Sequence, residues 1–315
     1  MAESKRPELR PSGASLPPAA AWSGAVLVVV SSVAFSSKAI MAKLMYRHGV
    51  DPVTVLALRM GFAAPLYLGM AWWSSRHARA LTRREVGAIL LLGLVGYYGS
   101  SLCDFLGLQY VSAGLERLIL FTYPTWVVLL SAVFVGERLQ REQLIALGVT
   151  YAGIALVFAT ELDVNMENVW LGSALVLASA LAYAGYLVGG APYIRRLGPE
   201  RFTSFALLVS TGAVLLHFTA TPQPLLGHAK EVYALGLLMA LVATVLPTFA
   251  LAQGIRRIGA GPSAILGLVG PVSTLFLANL FLGEPILPLQ LVGTGLVLAG
   301  ASVVATRSAS TAAKR

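Results

Sequence analysis

A segment of 47 residues occurs twice in this chain without a gap, at 107–153 and again at 254–300. The two copies are identical at 13 positions, and many of these are glycine or proline. Matched positions that recur in register are Pro124 and Pro271, Gly136-Glu137 and Gly283-Glu284, Gly153 and Gly300. Because a repeat of this length implies two related structural units, it restricts the architecture more than any other feature of the sequence.

The composition indicates that most of the chain lies in lipid. Hydrophobic residues make up 57% of the sequence and charged residues only 12%, whereas a soluble domain carries about 25% charged residues. Charges fall in short clusters between apolar runs of about 20 residues, the length that spans a bilayer core. Lipid offers no hydrogen bonds to the backbone, so these runs are predicted to be helices of an all-α integral membrane protein. The ten predicted spans are roughly 22–45, 53–74, 86–108, 115–135, 143–160, 169–190, 202–219, 232–253, 263–282 and 289–306.

The positions of lysine and arginine predict how the spans are oriented. Of the 23 basic residues, 17 lie in the two tails and in alternate connections, which places both termini in the cytoplasm of a bacterial-type inner (plasma) membrane. Each half contains five spans, so the second half enters the membrane from the opposite side. The halves are therefore predicted to be inverted repeats, a common construction of secondary transporters with the substrate site between the repeats.

The predicted domain organisation follows from these spans. Residues 1–20 are polar and rich in proline and serine, which predicts a disordered cytoplasmic tail. The first five-helix repeat covers 21–160, the second covers 161–306, and 307–315 form a second cytoplasmic tail. The connections leave no room for a soluble domain.

Several functional classes are excluded or disfavoured by the sequence. The net charge of +9 does not indicate nucleic-acid binding, because the basic residues lie between membrane segments. Cys103 is the single cysteine, so neither a disulfide framework nor a metal cluster is expected. No Walker-type loop is present, and Cys103 and His217 lie on distant spans without a catalytic motif. We therefore expect neither an enzyme nor a cofactor.

The repeated motifs resemble the drug/metabolite transporter superfamily, and within it the EamA-type ten-helix exporters. Each half opens with Trp-x-Gly, carries a proline within its fourth span and a Gly-Glu pair after it, and has glycines in its fifth span. The opening motifs are Trp22-x-Gly24 and Trp170-x-Gly172. The resemblance implies a transporter of small metabolites, often amino acids and usually outward, and the family includes exporters of aromatic amino acids.

Polar and aromatic side chains at helical spacing are the candidates for a transport path. Tyr97, Ser101 and Asp104 share one face of the third span. The sixth span repeats this spacing with Ser179, Tyr183 and Tyr186. The predicted substrate-binding residues are Lys38, Tyr97, Tyr98, Ser101, Tyr123, Trp126, Tyr183, Tyr186, Thr244, Thr248 and Ser273. A cavity lined in this way suits aromatic or amphipathic solutes. For any single residue, hydrogen bonding between packed helices remains an equal alternative.

Ionisable residues within the spans are predicted to gate the path or to bind charge. The predicted gating residues are Arg59, Asp104, Pro124 and Pro271, with the prolines as hinges. Asp104 and Glu116 are predicted to pair with Lys38, Arg59 or Arg117, either as an outer gate or beside a site for a substrate carboxylate at Lys38 or Arg59.

The remaining ionisable residues of the spans have more ordinary interpretations. Lys43, Glu116 and Arg117 are interpreted as interfacial side chains, and Glu137 and Glu284 as caps of turns. No acidic residue is predicted at mid-membrane, so proton coupling and facilitated diffusion both remain open.

These features predict a secondary transporter that exports small metabolites, with amino acids, and aromatic ones in particular, as the favoured substrates. The alternatives are an exporter of drugs or cationic metabolites and, from a different class, a membrane scaffold that transports nothing. The expected partners are a small-molecule substrate and the lipid bilayer, without nucleic acid. The oligomeric state is open, with a monomer among the alternatives.

Overall fold

The computed structural model describes residues 18–135, 141–163, 168–258, 263 and 266–313. Its regular elements within these ranges are all helical. The helices are α1 (Pro18–Arg47), α2 (Pro52–Ser75), α3 (Arg83–Gly107), α4 (Ala113–Leu120 continued by Tyr123–Val135), α5 (Arg141–Asp163), α6 (Val169–Leu197), α7 (Pro199–Phe218), α8 (Lys230–Ala240 continued by Leu241–Val245 and Leu246–Ile258), α9 (Val269–Leu282) and α10 (Pro288–Ala313).

The predicted all-helical membrane fold is confirmed. Seven helices of the described chain are long and apolar enough to cross a membrane, and α5, α9 and α10 contribute shorter apolar stretches, Leu144–Thr160, Val269–Leu282 and Pro288–Val303. The described helices coincide with the ten predicted spans to within a few residues at most ends. The turn at Gly136-Glu137 and most of the first predicted tail lie outside the described residues.

The contact between α1 and α8 has an equivalent in the contact between α6 and α3, because the repeat relates α1 to α6 and α3 to α8. Gly24 of α1 lies against Gly254 of α8, where a Cβ on Gly254 would be 2.4 Å from Val28 Cγ2. The equivalent pair is Gly172 of α6 and Gly107 of α3, where a Cβ on Gly107 would be 2.7 Å from the carbonyl oxygen of Gly172. Small residues let helix backbones approach closely in a membrane. The matched glycines therefore build the contacts between the first half (α1–α5) and the second half (α6–α10).

A third close crossing joins the last helix of each half, α5 and α10. A Cβ on Gly153 would lie 2.6 Å from the carbonyl oxygen of Gly293, and a Cβ on Gly300 would lie 2.5 Å from that of Ala146. Gly153 and Gly300 are equivalent in the repeat, and so are Ala146 and Gly293, so the repeat relates these two contacts to each other. The glycines at these three crossings thus belong to the helix scaffold.

Two kinds of helix irregularity, neither of which was predicted as such, occur at equivalent places in the two halves. A π-helical stretch interrupts α3 at Gly93–Gly99 and α8 at Leu241–Val245. The helix α4 breaks at Phe121 and Thr122, where the N–H of Thr125 donates to the carbonyl of Thr122 at 2.9 Å. A turn residue also precedes α9, at Leu268. These irregularities lie beside the space that the two halves enclose.

Candidate functional site

A cavity of about 390 Å³ lies between the two halves. Its wall includes residues from every helix of the fold except α5 and α9, and from the segment just before α9. Predicted residues that the structure brings together in this wall are Lys38, Arg59, Tyr97, Ser101, Asp104, Tyr123, Pro124, Tyr183, Thr244 and Thr248. The spacing argument for α3 therefore selected side chains that share one space with residues of both halves, and the roles of these side chains stay predictions.

Five other predicted residues do not line this cavity: Tyr98, Trp126, Tyr186, Ser273 and Pro271. The hydroxyl of Tyr98 lies 2.9 Å from His217 Nδ1, which ties α3 to α7. The ring of Tyr186 is buried against Phe202, with ring centroids 5.8 Å apart. Ser273 donates to the carbonyl of Val269 at 2.9 Å within its own helix. For these three, the contacts fit the alternative of bonding and packing within the helix bundle.

Lys38 of α1 holds two carboxylates at one end of the cavity. Its Nζ lies 3.0 Å from Glu116 Oε1 and also forms a short hydrogen bond to Asp104. The predicted pairing of Lys38 with Asp104 and Glu116 is thereby confirmed. Glu116 has no exposed surface, so its interpretation as an interfacial side chain is wrong. Because both acids already surround Lys38, this ammonium is poorly placed to receive a substrate carboxylate.

Two arginines also line the cavity, with different surroundings. Arg59 Nε donates to Thr244 Oγ1 at 2.8 Å, which connects α2 of the first half to α8 of the second. The guanidinium of Arg117 lies 5.6 Å from the ring centroid of Phe121. Sequence reasoning placed Arg117 at the membrane interface, and the structure instead places it in the cavity wall. The sequence shows a charged residue near the start of this span, but it does not show that the side chain lies in the cavity wall rather than at the membrane surface.

Tyrosines form a connected aromatic surface in the wall. Tyr123 of α4 and Tyr183 of α6 meet edge to face, with ring centroids 5.4 Å apart. Tyr183 also approaches Tyr97 of α3 at 6.3 Å. Edge-to-face contacts of this kind leave ring faces that can stack on a further aromatic group. The surface joins both halves, because α3 and α4 belong to the first and α6 to the second.

The sequence analysis missed Ser31 on the first helix of the first half, although it counted Ser179, at the equivalent position of α6, among the polar side chains of the sixth span. Ser31 of α1 lines the cavity and donates to the carbonyl of Pro247 at 2.8 Å. At the equivalent place in the other half, Ser100 Oγ donates to the carbonyl of Ser179 at 3.1 Å. Ser31 and Ser179 stand 148 residues apart, the offset of the two Trp-x-Gly motifs. Aligning the first helices of the repeat would therefore have found Ser31.

Glu284 caps a neighbouring helix. Gly283 ends α9 with φ of +72°, a left-handed conformation that glycine adopts at low cost. Glu284 then accepts a hydrogen bond from the N–H of Ala113 at 3.1 Å and pairs with Lys43 at 3.1 Å. Glu284 was predicted to cap its own turn, and its carboxylate instead caps the start of α4. Glu137 lies outside the described residues. Lys43 is thus part of a tie between the halves rather than a free interfacial side chain.

The groups in the cavity wall are suited to noncovalent binding. Among the residues the structure describes, no three His, Cys, Asp or Glu side chains are grouped so that they could hold a metal ion. The wall offers tyrosine rings, serine and threonine hydroxyls, and charges of both signs. Such a surface binds and orients a small solute.

The EamA-like transporter family matches this sequence twice, at residues 22–159 and 170–306. The chain belongs to the EamA-like transporter family. The predicted resemblance to EamA-type transporters is confirmed, and the two matches agree with the two halves of the fold. By family, this chain is a multi-pass membrane transporter.

Individual relatives of this EamA-like chain carry transporter names. It is 28% identical to the uncharacterized transporter YcbK of Bacillus subtilis (strain 168) over 282 residues, 87% of this chain and 90% of that protein. It is 31% identical to a probable terminal-alkyne amino-acid exporter of Streptantibioticus cattleyicolor, over 71% of this chain and 75% of that protein. A solved crystal structure matches with a TM-score of 0.60 and 16% identity, covering 91% of this chain and 98% of that one, which shows a shared fold.

Proposed function

We propose that this EamA-like transporter exports amino acids, aromatic ones in particular, by alternating access through the central cavity. The observation that carries the proposal is the wall itself, which combines the Tyr123–Tyr183 aromatic surface with buried charges of both signs. An aromatic amino acid presents the complementary set, a ring, a carboxylate and an ammonium group. A volume of about 390 Å³ also falls within the range typical of small-molecule sites.

One relative supports the amino-acid proposal by name, since it is described as a probable terminal-alkyne amino-acid exporter. That name specifies a terminal alkyne and no aromatic group. The preference for aromatic amino acids therefore depends on the tyrosines of this chain.

Two observations support alternating access. Equivalent helices of the two halves make equivalent contacts, and further contacts join the halves at one end of the cavity. Arg47 Nη2 donates to the carbonyl of Leu282 at 2.5 Å, and Lys43 pairs with Glu284. These contacts connect α1 of the first half to the end of α9 in the second. We place them at the outer face, with both termini in the cytoplasm, and infer that they break when the cavity opens outward.

Export of a cationic metabolite or drug is the second candidate, and one observation favours it. Asp104 lines the cavity, and its Oδ1 is buried without a hydrogen-bond partner among the described residues. Asp104 therefore offers a carboxylate oxygen to a cationic solute. Lys38 opposes this candidate, because its ammonium already sits between Asp104 and Glu116.

A transport assay separates these candidates. The purified protein is reconstituted into liposomes loaded with radiolabelled phenylalanine, and efflux is followed with and without an excess of unlabelled competitor. We expect saturable efflux that tyrosine and tryptophan inhibit and that protein-free liposomes lack. Flux of hydrophobic cations without flux of amino acids would favour the second candidate. Absence of flux for every solute would contradict transport through this cavity.

A further inference from the structure

Arg117 is a cation in the cavity wall, and the acidic groups described as acting on its charge, Glu116 and Asp104, already bind Lys38. The residues that the structure describes provide it with no hydrogen bond or ion pair, and its Nε is a buried donor without a partner. The guanidinium also contacts an aromatic ring: its carbon lies 5.6 Å from the ring centroid of Phe121, a cation–π contact. Buried arginine groups are normally paired, because removing a charge from water without compensation is costly.

The acidic residues nearby are already engaged. Asp104 and Glu116 both bind Lys38, and Arg59 is oriented by its bond to Thr244. Lys38, Arg59 and Arg117 thus provide three positive charges against the two negative charges of Asp104 and Glu116. The excess positive charge at this end of the cavity is best balanced by an anion that enters it.

Gly270 makes room for the Arg117 guanidinium against the second half. A Cβ on Gly270 would lie 2.7 Å from Arg117 Nη2. The equivalent position in the first half is Tyr123, so the two copies differ where this arginine packs. Arg117 itself has Ala264 as its counterpart in the repeat. The arrangement is therefore a feature that one half adds to the symmetric scaffold.

The aromatic surface begins beside this arginine. Phe121, on which the guanidinium lies, has its ring centroid 6.3 Å from that of Tyr123, and Tyr123 continues to Tyr183 at 5.4 Å. A solute with a carboxylate at Arg117 would have its ring within reach of these tyrosines. The planar guanidinium fork matches a carboxylate and can bind both of its oxygens.

We propose that Arg117 binds the carboxylate of the transported solute, so that the cavity selects aromatic carboxylates over the corresponding amides and amines. This inference rests on the proposed function and names the group that sets its specificity. It moves the carboxylate site from Lys38, which two acids occupy, to the arginine that has a free donor.

The test compares phenylalanine with phenylalaninamide, which differ in the carboxylate, in reconstituted liposomes. In the wild type we expect phenylalanine to have the higher kcat/KM. Arg117→Gln should lower this value for phenylalanine by about tenfold or more, since a hydrogen bond to a charged group is lost, and should leave the amide unchanged. Arg117→Lys, which keeps the charge without the fork, should fall between them. The exposed Arg84→Gln is the matched control and should behave as the wild type.

A second variant addresses the same site without changing any charge. Gly270→Ala displaces the guanidinium and should reproduce the loss of preference for phenylalanine over its amide. Gly295→Ala is its control, because a Cβ there meets no atom within 4 Å. A preference that persists in both Arg117→Gln and Gly270→Ala would overturn the inference.

A binding measurement keeps the inference separable from transport. In detergent, 3-phenylpropionate should raise the melting temperature of the wild type, phenethylamine should raise it less, and Arg117→Gln should abolish the difference. If phenylalanine is transported but 3-phenylpropionate stabilises Arg117→Gln as well as the wild type, the carboxylate assignment is wrong and the proposed function stands. If 3-phenylpropionate binds as expected but no amino acid moves, the anion site stands and the proposed function fails.

Discussion

The carboxylate of Glu284 lies 3.1 Å from the amide nitrogen of Ala113, the first residue of α4. This hydrogen bond crosses from the second half of the transporter to the first. The same carboxylate pairs with Lys43 of α1, so one side chain joins three parts of the fold at one end of the cavity.

Substitution of Glu284 should separate its capping role from its charge. Glu284→Gln keeps an oxygen that can accept the Ala113 N–H, whereas Glu284→Ala removes it. We expect Glu284→Ala to destabilise the protein by about 1 kcal/mol relative to Glu284→Gln, as for loss of a helix cap. Thermal unfolding in detergent measures the difference. Equal melting temperatures for the two variants would show that the cap contributes nothing.

Removal of Lys38 should destabilise the protein strongly. Lys38→Met leaves Asp104 and Glu116 facing each other without a counter-charge, and breaking a buried pair in this way costs about 3–5 kcal/mol. We expect a low folded yield that the combined variant Lys38→Met, Asp104→Asn, Glu116→Gln restores. Size-exclusion chromatography of the detergent-solubilised proteins measures the yield. A fully folded single variant would contradict the pairing described here.

The glycines of the interhelical contacts should tolerate no side chain. Gly107→Ala places a methyl group 2.7 Å from the carbonyl oxygen of Gly172, so α3 and α6 must separate. Overpacking of this kind costs about 1–3 kcal/mol. At Gly148 an added Cβ meets no atom within 4 Å, so Gly148→Ala is the matched control and should melt at or above the wild-type temperature. Similar melting temperatures for both variants would count against close packing at Gly107.

The break in α4 should matter for transport more than for folding. Pro124 is the second residue after the break, a position where a missing N–H is tolerated. In Pro124→Ala the restored N–H allows α4 to continue across Phe121 and Thr122. We expect this variant, and Pro271→Ala in the other half, to lose transport rate more than folded yield. Parallel loss of rate and yield would contradict a hinge.

Tyrosines inside and outside the cavity lining should differ in the property they affect. Tyr183→Leu removes ring contacts worth about 0.5–1.5 kcal/mol each, so we expect the KM for phenylalanine to rise about 2–10-fold. Tyr98→Leu removes the bond to His217 and should lower the melting temperature with little change in KM. Transport kinetics and thermal unfolding of the two variants make the comparison. If Tyr98→Leu raised the KM for phenylalanine as much as Tyr183→Leu does, Tyr98 would be a substrate-binding residue after all.

The spans and the repeat were predictable because hydropathy and glycine positions act along the chain. The pairing of Lys38 with Asp104 and Glu116 was also predictable. An unpaired charge within the membrane is costly, so opposite charges at similar depth are expected to pair. The depth of Arg117 was not, because α4 begins inside the bundle under a cap from Glu284, which is distant in sequence. Likewise, helical spacing gives the relative angle of Tyr97 and Tyr98 on α3 but does not fix which of them lines the cavity.

The π-helical stretches differ in how they are closed. In α8, Thr244 Oγ1 donates a hydrogen bond to the carbonyl of Met239 at 3.0 Å and accepts one from Arg59 Nε. These bonds connect the π turn to the preceding turn of α8 and to α2. The equivalent residue in α3 is Tyr97, whose ring instead packs on Tyr186 at 4.7 Å. A π turn holds one residue more than an α turn, and such turns are frequent at functional sites. The π turn of α3 is tied to α7 through Tyr98 and His217, so each half holds the π turn of the other, and a movement between the halves acts on both turns.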